Sequence, residues 1–185
     1  MTIDIADTQT TQAAQVPVGT WAIDPSHSEV GFTVRHLMTK VRGLFETFEG
    51  TLTTTDDIEG FRAEATIDLN SVNTRDATRD GHLRSADFFD VENHGPMTFR
   101  TTSFDGSTAK GELAIKGVTK PVELEVDFLG VEQDAWGNTR IGYEASTQIS
   151  RTAWGVDFQI PLDGGKVLVG DKVSIVLSVQ AALAQ

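Results

Sequence analysis

The chain has 185 residues, 39% of them hydrophobic, and its 27 Asp and Glu against 15 Lys and Arg give a formal net charge of −12. So acidic a surface repels nucleic-acid phosphates and anionic lipid headgroups, and the basic residues read as scattered rather than gathered to offset it. Cysteine is absent, which excludes a disulfide framework, a thiol nucleophile and a cysteine-ligated metal.

The N-terminal stretch MTIDIADTQTTQAAQVPVG contains no Lys or Arg, carries Asp4 and Asp7, and lacks the apolar run of about 7–15 residues that a secretory signal needs. It reads as a disordered tail over residues 1–18, with one domain over 19–185 and a cytoplasmic location. No later window is long and apolar enough for a membrane-spanning helix, so stable membrane insertion is not expected.

Order is expected from Gly19. Trp21 and Ile23 make a short strand, and Asp24-Pro25-Ser26 a turn whose side chains hydrogen-bond local backbone. Residues 28–36 form a strand with Val30, Phe32, Val34 and His36 on one face. Residues 41–54 read as one long strand in which Gly43 and Gly50 signal bulges or close backbone approach. From Phe61 to Leu69, Phe61, Ala63, Ala65, Ile67 and Leu69 alternate with polar residues. The period of two is then lost over 71–90, which reads as a loop and a short helix near 75–85, interrupted by Gly81. Strands resume at 97–104 and 108–115, joined by Asp105-Gly106, a strong hairpin signal.

The clearest strand follows the Lys116-Gly117 turn. Val122, Leu124, Val126 and Phe128 alternate with Glu123, Glu125 and Asp127, giving one apolar and one acidic face. Residues 139–150 alternate in the same way, as do Val173 to Leu183, while 151–171 are irregular. Such one-sided strands must stack as a sandwich or close around an apolar interior. Ten Phe against a single Tyr suit either a Phe-rich core or a dry cavity for a greasy ligand.

Candidate chemistry is sparse. None of His27, His36, His82 and His94 has a zinc-site spacing, and no nucleophile elbow occurs. Ser26-His27-Ser28 orders a turn. His36 shares the apolar face of its strand, where it is either a polar contact for a ligand headgroup or a structural histidine satisfied by a neighbour. Arg151 is a candidate for an ion pair with Asp87 or Asp90 that fixes the helical insertion, with Phe88 and Phe89 as its apolar pins.

Four blocks, WAIDPSHSEVGFTVRHLMTKVRGLFETFEGTL (21–52), DGHLRSADFFDVENHGPMTFRTTSF (80–104), GELAIKGVTKPVELEV (111–126) and IGYEASTQISRTAWGV (141–156), resemble the motifs of the YceI family of lipocalin-like, polyisoprenoid-binding proteins. They lie in family order and cover nearly everything after Gly19. The resemblance implies an all-β fold, an extended antiparallel eight-stranded barrel with a short helical insertion and an elongated apolar tunnel. It brings no catalytic residues. Many family members carry a signal peptide, from which this polar N-terminus departs.

The expected function is a soluble carrier of a long-chain polyisoprenoid, such as an isoprenoid quinone or a prenyl phosphate, or of a similar fatty amphiphile. No cofactor beyond the bound lipid and no metal is expected, and a homodimer is plausible for the family. Phe32, His36, Phe48, Leu52, Ile67, Leu83, Phe99, Leu113, Val126 and Tyr143 are the expected lining residues. Phe32, Phe48 and Ile67 would grip the tail, with His36 and Tyr143 as polar contacts. The alternatives are sequestration of hydrophobic toxins or antibiotics under stress, and a lipid-modifying enzyme using His36.

Overall fold

The computed structural model describes residues 16–185 of the chain. The expectation of a tail over 1–18 therefore lies outside the described residues for 1–15. Val16 packs against the barrel, and the Pro17 carbonyl accepts a hydrogen bond from the Thr54 hydroxyl at 2.6 Å.

Among the described residues eleven strand segments, all antiparallel, follow in chain order: β1 (Gly19–Ile23), β2 (Glu29–His36), β3 (Thr39–Phe45), β4 (Phe48–Thr54), β5 (Arg62–Ile67), β6 (Val72–Asn73), β7 (Met97–Phe104), β8 (Thr108–Ile115), β9 (Val118–Gln133), β10 (Thr139–Ser150) and β11 (Val169–Leu183). One helix, α1 (Ala77–Arg84), stands between β6 and β7. Three pairs of segments act as single bent strands. β11 pairs with β1 near its end and with β2 near its start, β4 pairs with β1 while β3 pairs with β2, and β5 and β6 continue the pattern beside β4 and β3. Counted this way, eight strands close in a ring, as expected of this fold.

The alternation read in the sequence is the alternation of the wall. Glu123, Glu125 and Asp127 of β9 are exposed, while Val122, Leu124, Val126 and Phe128 face inward. The strand expected over 41–54 is divided. At Glu46 and Thr47 the backbone N–H groups turn to the Ser71 carbonyl and hydroxyl, 3.2 and 2.9 Å away, and the chain steps from one neighbour to the next. Gly43 is a point of close approach and not a bulge. It lies opposite Phe32, and a Cβ there would stand 2.9 Å from Thr74 Cγ2 and inside van der Waals contact of the Phe32 ring.

The two ends of the barrel differ. At one end Trp21, fully buried, packs with Leu52, Phe61, Phe104, Ile141 and Ala181, and its indole N–H donates to Thr54 Oγ1 at 2.9 Å. This end is a packed core. β5 pairs with β7 over four residues, Glu64–Ile67 against Arg100–Met97, and beyond Ile67, toward the other end, α1 with its following turns stands beside β6. Asp76 caps α1 by accepting from the Arg79 N–H, an acidic group at a helix start where the backbone donors are unpaired. Phe88 is buried and Phe89 lies against Phe45 at 6.0 Å, so both anchor the insertion. Among the described residues no helix is long and apolar enough to cross a membrane.

Candidate functional site

Inward-facing residues of a small barrel usually fill it. Here many do not bury each other fully: Val30, Phe32, Val34, Val126, Phe128 and Leu177 face inward yet stay half-buried. They line space. Two chambers of about 370 and 160 Å³ lie end to end within the ring, and Val30, Met97 and Ile175 line both. These three side chains form a waist. The larger chamber lies toward the α1 end and the smaller toward the Trp21 end.

All ten lining residues read from the sequence stand on these walls, but the structure divides them. Phe32, His36 and Leu83 line the larger chamber. Phe48, Leu52, Ile67, Phe99, Leu113, Val126 and Tyr143 line the smaller. The three residues assigned to the tail thus sit on both sides of the waist. The two polar candidates are separated as well.

Tyr143 stands among aromatic rings, 5.9 Å from Phe61 and 5.3 Å from Phe128. Burial in this apolar setting pushes its phenol up to about 12, because the phenolate has nothing to replace its hydration. It is a neutral hydroxyl at any physiological pH.

The larger chamber is also walled mostly by apolar surface, with cationic and imidazole side chains at its edge. Besides His36 it is bounded by Thr74, Arg79, His82 and Arg151, none of which the strand pattern could place there. Arg79 donates from Nε to Thr74 Oγ1 and from Nη2 to the Thr74 carbonyl, both at 2.8 Å. Thr74 is held in turn by the buried Asp80 carboxylate, which accepts from its N–H and hydroxyl at 2.9 and 2.6 Å. The imidazole of His82 bonds Asp87 at 2.8 Å and sets its ring edge-on to Phe88 and Phe158. Half-exposed His82 and Ile160 bring this chamber to the surface.

Arg151 is buried as its role required, but the expected partners are wrong. Asp87 bonds His82 and Asp90 lies 3.7 Å from His94. The Arg151 guanidinium instead donates to backbone carbonyls: Nε to Gly170 at 2.9 Å, Nη1 to Val156 at 2.7 Å and Nη2 to Val169 at 3.3 Å. Carbonyl partners leave no signature in a sequence. Burial draws this guanidinium below its usual range, opposed by the nearby charges of Asp171 and Asp157. The effect is to tie the 151–170 segment across the chamber. Trp154 assists by donating from its indole to the Leu113 carbonyl at 3.0 Å.

A closed eight-stranded antiparallel ring around an apolar two-chambered interior defines a lipocalin-like barrel of the kind that encloses a small hydrophobic ligand. The model of the YceI-like domain matches residues 21–181, and the chain belongs to that family. It is 33% identical over 171 residues to a UPF0312 protein of Staphylococcus aureus (strain USA300), spanning 89% of this chain and 98% of the relative. The crystal structure of a Campylobacter jejuni YCEI protein superposes with a TM-score of 0.67 at 28% identity, covering 88% of this chain and 96% of that one. A polyisoprenoid binding domain from Saccharophagus degradans, implicated in plant cell wall breakdown, shares the fold with a TM-score of 0.70 at 15% identity, covering 91% and 100% of the two chains.

Proposed function

We propose that this protein is a binding and carrier protein for one long-chain isoprenoid lipid or similar amphiphile, held tail inward along the two chambers. The observation that carries this reading is the asymmetry of the interior. Both chambers are walled almost wholly by apolar surface, and the cationic and imidazole groups stand at the edge of the larger one, away from the Trp21 end. A tail with about 0.8 kcal/mol gained per buried methylene-sized group would bind without a charged anchor. Selectivity for the polar end would then rest on His36, His82 and Arg79, which suit a phosphate, a carboxylate or a quinone oxygen, while Arg151 is held by backbone carbonyls. The name of the Saccharophagus degradans neighbour and the family membership support the ligand class.

The ten wall residues are proposed ligand contacts, with Phe32 above the waist and Ile67 below it. Phe32→Trp and Ile67→Trp each place an indole in one chamber, and each is expected to reduce co-purifying lipid and weaken its rebinding. If both variants keep the lipid content and affinity of the parent, the carrier reading is wrong.

A further inference from the structure

The hairpin joining β2 and β3 ends in the residues RHLMTKVR (35–42) and departs from the chemistry of the rest of the surface. Met38 is 93% exposed and Leu37 41%, beside Ile160 at 45%. The Leu37 N–H donates to the Leu168 carbonyl at 2.9 Å and the Leu168 N–H to the Ile160 carbonyl at 3.2 Å, which joins these apolar groups into one rim. That rim belongs to the larger chamber, since His36, Ile160 and Leu168 line it.

The hairpin tip itself is basic, while Asp163 and Asp171 stand on the neighbouring segments. Arg35, Lys40 and Arg42 are exposed, and the register sets Arg35 directly across from Lys40. Among the described residues none of the three has a carboxylate within salt-bridge distance, and Arg35 instead donates to the Leu37 carbonyl at 2.9 Å. No Asp or Glu occurs between Glu29 and Glu46. Lys166 stands in the adjoining turn with Asp163. Three of the fifteen basic residues, Arg35, Lys40 and Arg42, are therefore gathered at one place, on a chain whose formal charge is −12.

We propose that this tip docks on an anionic phospholipid surface, with Leu37 and Met38 entering the headgroup layer and Arg35, Lys40 and Arg42 meeting phosphates. The inference rests on the carrier reading, because a lipid nearly insoluble in water must enter and leave the larger chamber from a bilayer. Exposed apolar side chains flanked by cations are the composition that interfacial binding requires, and the acidic remainder orients the molecule by repulsion. Docking is shallow and reversible.

The test is co-sedimentation of the full-length, lipid-stripped protein with phosphatidylglycerol-containing vesicles and with pure phosphatidylcholine vesicles, at low and high salt. Binding to the anionic vesicles that weakens with salt is expected. Arg35→Glu, Lys40→Glu and Arg42→Glu together should lower the partition coefficient by about tenfold or more, and Leu37→Ser with Met38→Ser should lower it as well, with unchanged thermal melting. Equal binding to both vesicle types, variants that bind like the parent, or a tip whose loss abolishes only self-association or capture of another protein would overturn the proposal. The two readings fail separately. If the parent ignores vesicles while the Phe32 and Ile67 variants still lose lipid, docking falls and the carrier stands. If vesicles bind but the cavity variants change nothing, the carrier falls.

Discussion

Ala145 offers a direct way to fill the smaller chamber without removing any of its walls. It lies on β10 between Val126 and Leu177 of the neighbouring strands and lines the chamber of about 160 Å³. At the roughly 30 Å³ that a water-sized group occupies in a condensed phase, that space takes about five methylene-sized groups of a lipid tail. At about 0.8 kcal/mol each, their burial contributes ~4 kcal/mol, or about a thousandfold in Kd. Ala145→Trp would occupy most of the chamber, so a tail long enough to pass the waist at Met97 should lose about a hundredfold or more in affinity. A tail short enough to end in the larger chamber should lose almost nothing. Calorimetric titration with a homologous series of prenols or fatty alcohols reads this difference, with thermal melting to verify that the variant folds. Equal losses for short and long tails, or no loss for either, would refute the end-to-end arrangement of the chambers.

Other expectations follow from the same geometry. Arg151→Met leaves the buried carbonyls of Gly170 and Val156 without donors, which should destabilise the barrel by about 2–4 kcal/mol in urea unfolding; an unchanged midpoint would contradict the strap role. Tyr143 is the single tyrosine, so absorbance reports it alone. Its phenol is raised to about 12, so the stability it contributes is complete below the usual tyrosine range near 10 and declines as pH rises from about 10 toward 12. Tyrosinate appearing near 10 in the folded protein would show the smaller chamber to be wet. At the Trp21 end, Arg140 and then His27 hold the Asp24 carboxyl down at about 2, while Asn138 and Arg140 hold Asp134 well below the carboxylate range. Stability from both is present above the ordinary carboxylate values near 4 and lost as pH falls toward 2. Arg140→Gln should flatten that acid limb of the melting profile, and parallel profiles for parent and variant would contradict the assignment.

What could be read in advance was whatever obeys strand parity. A residue's face in a strand is set by its position modulo two, so Glu123 and Asp127 fall outside and Phe99, Leu113 and Val126 inside without any knowledge of their partners. The turns at Asp105-Gly106 and Lys116-Gly117 were legible for a related local reason, since each needs a positive φ that its glycine accommodates. In the latter, Lys116 and Gly117 have φ of 52° and 76°. Parity says nothing about height along the barrel, so it names His36 and Tyr143 as polar contacts without showing that they stand in different chambers. It also fails wherever the chain is not a strand. Arg79 and His82 reach the cavity from a helix, and Arg151 from a turn, through contacts with Thr74, Phe158 and the Val156 carbonyl that depend on tertiary placement. The waist at Met97 depends on strands far apart in sequence. The basic tip was visible as letters but not as a cluster, because the exposure of Arg35, Lys40 and Arg42 on one side depends on the hairpin that pairs them.

Whether the barrel holds a single lipid is decided by mass spectrometry of an organic-solvent extract of the protein purified from its native host. The expected result is one predominant long-chain isoprenoid or related amphiphile at near one-to-one stoichiometry, displaced in the Phe32→Trp and Ile67→Trp variants. A clean extract, or a mixture that mirrors the bulk membrane lipids in parent and variants alike, would contradict it.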